Sequence, residues 1–151
     1  MGTFKFRLAT FLQLREFARD ERRRALGEAF GADEVLQRQT LAAQQEMEAL
    51  QADTRRAGAP GAIDVDHLIE AKRYEIEMFA RLQLLGHKRA LLTAEIERRR
   101  LALVDANRDV RVLEQLREKQ IEHFRDTENL AQIKMLDETA QRRITDEETP
   151  S

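Results

Sequence analysis

Two long proline-free stretches, joined by a single break, constrain this chain more than anything else in it. The 151 residues include only two prolines, Pro60 and Pro150. Neither falls within residues 8–56 or 65–143. Each stretch can therefore run as one helix, without the lost hydrogen bond and steric clash that an internal proline brings. The break reads Ala57-Gly58-Ala59-Pro60-Gly61-Ala62-Ile63-Asp64. Glycine and proline stop the first helix, and Asp64 or Asp66 can cap the second through its carboxylate. A short turn of this kind joins two antiparallel helices. The abundant Ala, Leu, Glu, Arg and Gln favour helix, and 36% charged residues with 5% aromatics match long helices and coiled coils. The expected fold class is all-α: a long two-helix antiparallel coiled-coil hairpin with a C-terminal helical overhang. The expected organisation is a single coiled-coil domain over 1–151, with helix 1 at about 8–56, a turn at 57–64, helix 2 at about 65–143 and a frayed tail at 144–151.

Apolar residues recur at alternating spacings of three and four, the repeat of a left-handed coiled coil. On helix 1 the predicted seam passes through Leu8, Phe11, Ala18, Ala25, Ala29, Ala32, Leu36, Ala43, Met47 and Leu50, with gaps at Arg15 and Arg22. On helix 2 it passes through Met78, Leu82, Leu85, Leu92, Ile96, Leu103, Ala106, Val110, Leu113, Phe124 and Ala131, with gaps at Arg89, Arg99, Arg117 and Gln120. The arginine stems can cover the apolar groove while their heads reach water. Folding about residue 60 sets residue i near residue 121 − i. Helix 2 then outruns helix 1 by about thirty residues, roughly 40 Å of helix. Gly27, Gly31 and Gly86 fall inside predicted helix. They read as tolerated noise, as a close helix approach or as a bend.

The formal net charge is −2, so the chain as a whole does not attract nucleic acid. The charge is uneven: residues 1–30 hold seven Lys/Arg against four Asp/Glu, and residues 126–151 hold three against seven. The absence of cysteine rules out disulfides and Cys-zinc sites. There is no run of eighteen apolar residues and no signal-like opening, so the expected location is the cytosol.

No catalytic motif is present. His67, His87 and His123 are far apart, and Asp64-x-x-His67 reads as a helix-start cap rather than a metal seat. Phosphate-loop, dinucleotide-binding and nucleophile-elbow patterns are all missing. The carboxylates read as a solvated face stabilised by Glu–Arg pairs at i, i+4. Arg22-Arg23-Arg24 and Arg98-Arg99-Arg100 read the same way, since no aromatic residues are interleaved to stack bases. The chain is expected not to be an enzyme, to need no cofactor and to bind no metal.

The opening Phe4-Lys-Phe-Arg-Leu-Ala-Thr-Phe-Leu-Gln-Leu-Arg-Glu16, followed by Asp20-Glu21, resembles the flagellar FliJ family. That family opens with Phe-x-Phe-Arg-Leu-x-Thr-Leu-Leu-x-Leu-Arg and an acidic pair. Similar matches follow at Tyr74, Met78-Phe79 and Leu82, around Asn107 to Lys119, and at Met135-Leu-Asp-Glu-Thr-Ala-Gln-Arg142. The resemblance covers essentially the whole chain in order.

The resemblance implies a non-enzymatic stalk and adaptor of the flagellar type III protein export apparatus, similar to the rotor stalk of rotary ATPases. The implied partners are the hexameric export ATPase, whose ring it enters, the cytoplasmic domain of the export gate protein, and export chaperones. No nucleic acid is among them. The implied location is cytoplasmic, peripheral to the inner membrane at the flagellar base only through partners. The implied ATPase-facing residues are Leu8, Leu12, Leu14, Arg15, Asp20, Asp137, Glu138 and Arg142. The implied gate-facing residues are Gln39, Ala43, Leu50, Met78, Leu82, Leu85 and Arg89. Glu46 and Leu50 stand where the family has aromatic residues. Two other readings stay open at this point: the equivalent stalk of a virulence type III secretion system, and a generic structural coiled coil.

Overall fold

A computed structural model describes residues 2–61 and 63–147. Residue 62 of the predicted turn and residues 148–151 of the predicted tail lie outside the described residues. Two helices form an antiparallel hairpin: α1, Ala9–Ala57, and α2, Val65–Glu147. α2 therefore runs past Arg143, where the sequence reading ends it. No glycine or proline follows Arg143 until Pro150, so nothing in the covalent chain stops the helix there.

The turn forms as its residues require. The Gly58 and Ala59 amides donate to the Thr54 and Arg56 carbonyls, closing the last turn of α1. Gly61 has φ of 142°, a conformation that a side chain would strain. The Asp64 carboxylate then accepts from the backbone amides of Asp66, at 3.1 Å, and His67, at 3.3 Å. Asp64 is thus the cap of α2, and His67 contributes its amide rather than its ring.

Internal contacts divide the chain into two compact units. Unit 1 comprises residues 1–19 and 105–151, and unit 2 comprises residues 20–104. In unit 1, Leu12, Val110 and Leu113 form a buried cluster with Phe6 packed against it. Residues 2–6 precede the helix, and the Phe4 ring lies 5.7 Å from that of Phe124, so this strap lies against α2 beyond the start of α1. Arg15 reaches across to Asp109 at 3.5 Å and lies 4.9 Å above the Phe11 ring. Past Glu128, every described side chain of α2 through Thr145 is exposed.

In unit 2, Ala43, Met78 and Leu85 are buried, with Leu36, Met47 and Leu82 packed against them. Tyr74 donates a hydrogen bond to the Glu46 carboxylate on the facing helix, which pushes the Tyr74 hydroxyl above its ordinary pKa. Glu46 is thus a cross-helix acceptor for an aromatic side chain. Gln51 donates to Glu75, which also holds Lys72.

The seam of α2 runs as the sequence predicts from Met78 to Phe124, apart from the exposed gaps at Arg89, Arg117 and Gln120. Ala131 is exposed because neither α1 nor the strap extends that far. The early seam of α1 holds at Ala25 and Ala29 and differs elsewhere. Leu8, Phe11, Ala18 and Ala32 are exposed, and the covered positions fall one residue later, at Leu12, Arg19 and Asp33. Two of those three are charged, so an apolar pattern pointed to their neighbours. From Leu36 onward the predicted positions Ala43, Met47 and Leu50 are covered.

Arg99 departs from the expectation that seam arginines send their heads to water. Its guanidinium donates to the Ala25 carbonyl on α1 at 2.6 Å and to Glu95 on its own helix at 2.7 Å. Glu95 also takes two bonds from Arg98. These bonds, to Arg98 first and then Arg99, hold the Glu95 carboxyl down from 4.5 to about 2. Glu95 is thus more than a solvated bystander.

Two outcomes follow for solution measurements. Met78→Ala leaves a cavity in the seam and costs about 2–3 kcal/mol in urea unfolding, while Phe79→Ala, one residue on and 57% exposed, changes stability by about 0.5 kcal/mol or less. Equal losses for the two would show that the register is wrong. In a carboxyl NMR titration, Glu95 has its midpoint near pH 2. Its folded pKa lies below the unfolded one, so its contribution to stability is present above about pH 4.5 and is lost as the pH falls toward 2. An ordinary midpoint for Glu95 would dissolve the network.

Candidate docking surfaces

Among the described residues, no group of three or more His, Asp or Glu could hold a metal ion, and no polar or charged side chain is buried. Most arginines of the basic triplets are occupied within their own helix. Arg23 pairs with Asp20, Arg24 with Glu21, Arg98 and Arg99 with Glu95, and Arg100 with Glu97. This neutralises the charge a nucleic acid would need. Among the described residues, no helix is long and apolar enough to cross a membrane. What remains for chemistry is exposed apolar surface.

Unit 1 presents two such surfaces. On α1, Leu14 and Phe17 are 61% and 65% exposed, one turn apart on the side away from Leu12, with Phe11 at their edge. On α2, Leu130, Ile133, Leu136 and Ile144 are all exposed. At 3.6 residues per turn they form a stripe roughly 150° around the helix from the seam residues Ile121, Phe124 and Glu128. The overhang therefore carries its apolar face on a different side from the hairpin groove.

These positions sort the residues singled out in unit 1. Leu12 is buried against Val110 and Leu113, so it holds the hairpin together and offers no surface. Arg15 is engaged by Asp109 and Phe11, so contacts within the hairpin account for it. Leu8 and Leu14 are exposed. Asp137, Glu138 and Arg142 are exposed along the overhang. They lie some 27 residues along α2 from Val110, roughly 40 Å of helix, so the fold does not gather the two sets into one site. Asp20, in unit 2, pairs with Arg23.

The remaining candidates lie in unit 2. Ala43, Met78 and Leu85, which the resemblance implied as gate-facing, are buried, and Leu82 packs against them, because these positions also lie on the seam of the hairpin. Leu50 is half-covered. Gln39 is exposed, and Arg89 pairs with Asp33 at 3.2 Å. Part of the exposed apolar surface of this unit lies on another side of α2, at Val65, Ile69, Ile76 and Phe79. This stripe is roughly 140° around α2 from Met78 and Leu85. Ile76 and Phe79 border a shallow groove completed by Met47, Gln51, Lys72 and Glu75. Sequence reasoning passed over this stripe and over Phe17. The available signal was a second apolar series on α2, at spacings of four, seven and three, out of phase with the seam.

A search of the curated proteins and one of the solved structures give no significant match. A family model described as flagellar FliJ protein matches residues 4–149. That match begins at the Phe4 strap and takes in both helices. With the hairpin and its exposed apolar faces, it shows that this chain belongs to the flagellar FliJ protein family, a family of flagellar export.

Proposed function

We propose that this protein is a non-enzymatic stalk and adaptor of the flagellar export apparatus. In this reading one end of the hairpin engages the export ATPase ring, and the chain links that ring to the cytoplasmic domain of the export gate and to export chaperones. It works on the cytoplasmic side, reaching the inner membrane at the flagellar base through its partners.

The observation that carries this reading is the large apolar surface left outside the seam of unit 1. Leu14 and Phe17 on α1, and Leu130, Ile133, Leu136 and Ile144 on α2, have no packing role in the hairpin. Apolar residues that stay in water on a charged helix are the kind of anchor on which binding energy concentrates. Asp137, Glu138 and Arg142 form a charged surround for the overhang stripe, suited to steering encounter more than to setting final affinity. A single lone helix is marginal in water, so a surrounding partner also supplies the burial that the overhang lacks. For the gate, the same logic selects the exposed Ile76 and Phe79 in place of buried Met78 and Leu85.

The test is a titration of the purified export ATPase with the full chain. Leu14→Ala/Phe17→Ala, and separately Ile133→Asp/Leu136→Asp, are expected to weaken binding tenfold or more, about 1.4 kcal/mol, with helicity by circular dichroism unchanged. Ile76→Asp/Phe79→Asp leaves ATPase binding intact and weakens capture of the gate's cytoplasmic domain. Failure of the unaltered chain to bind either protein would return it to the status of a generic structural coiled coil.

A further inference from the structure

The two halves of unit 2 are built differently. Around Ala43, Met78 and Leu85 the seam is apolar and covered. In the half formed by residues 20–33 and 89–104, Ala29 is the one buried side chain among the described residues, and α2 contributes none. An alanine covers little area, so this half gains little from burial. Two polar contacts cross between the helices here. Arg99 donates to the Ala25 carbonyl, and Arg89 pairs with Asp33, a seam carboxylate left only 18% exposed.

Three helical glycines bear on the same unit. Gly27 and Gly31 lie in the polar half, and Gly86 lies just before it. A methyl group added at any of them meets nothing within 4 Å. Close helix approach therefore does not explain these glycines, although each weakens its helix relative to alanine. Weak helix and thin burial together define a segment of low local stability.

We infer that the half of unit 2 formed by residues 20–33 and 89–104 opens on its own while the Ala43–Met78–Leu85 half stays closed, with Arg99 as its latch. Opening uncovers the half-covered Leu26, Leu92 and Ile96 without disturbing the apolar half. Salt favours it, because the Arg89–Asp33 pair is ionic and the Arg89 side chain is near water.

Hydrogen exchange by mass spectrometry on the full chain tests this. Protection factors for peptides from 22–33 and 89–103 are expected to be at least tenfold lower than those from 36–50 and 74–86, with a gap that widens from 50 mM to 1 M salt. Gly27→Ala/Gly31→Ala/Gly86→Ala, which strengthens the helices and so keeps the fold, should narrow the gap about fivefold per glycine in the polar half. Arg99→Ala should widen it, and Arg99→Lys should widen it less. Uniform protection across unit 2, a gap indifferent to the glycine substitutions, or an Arg99→Ala effect equal in both halves would each overturn the inference.

Discussion

A two-helix hairpin has one interface, and that shortage of partners governs the whole molecule. Each helix has a single helical neighbour, so only a narrow line of side chains can leave water. Among the described residues eight are buried, and three of these, Ala29, Ala43 and Ala71, are alanines. The fold is held by a seam rather than by a core with volume, so its stability is distributed along its length. Charge can then enter the seam at small cost. Asp33 and Arg99 occupy seam positions because water is never more than a side chain away, and each finds a partner on the facing helix. The remaining apolar residues have nowhere inside to go, and that is why this chain has so much hydrophobic surface to offer others.

The architecture was legible because its determinants are local. Proline-free length, one Gly-Ala-Pro-Gly break and an aspartate placed to cap are chemistry that acts over a few residues, and Asp64 caps α2 as its position implies. The seam of α2 was legible because leucine, isoleucine and valine fill it. The early seam of α1 was not. There Arg19 and Asp33 stand where the repeat expects apolar side chains, and Phe11 stands beside the line instead of on it. What makes a charge acceptable at such a position is a partner on the other helix, and that is tertiary information.

The docking surfaces were harder to read for a related reason. A seam position serves the hairpin itself, so the implied candidates that fall on the observed seam, Leu12, Met78 and Leu85, proved to be buried. Surfaces for partners lie in the complementary phase, where Phe17, Ile76 and Phe79 sit among charged residues. On a helix that is apolar on two sides, periodicity alone gives both stripes and does not say which one faces inward. The position of α1 decides it.

The strap ahead of α1 has a consequence of its own. Among the described residues, no backbone hydrogen bond ties residues 2–5 to α2. Phe4 rests on Phe124, and Phe6 rests on the cluster below it. Side-chain contacts of this kind can part without unwinding any helix, so the cover over this length of α2 depends on aromatic packing rather than on helix hydrogen bonds.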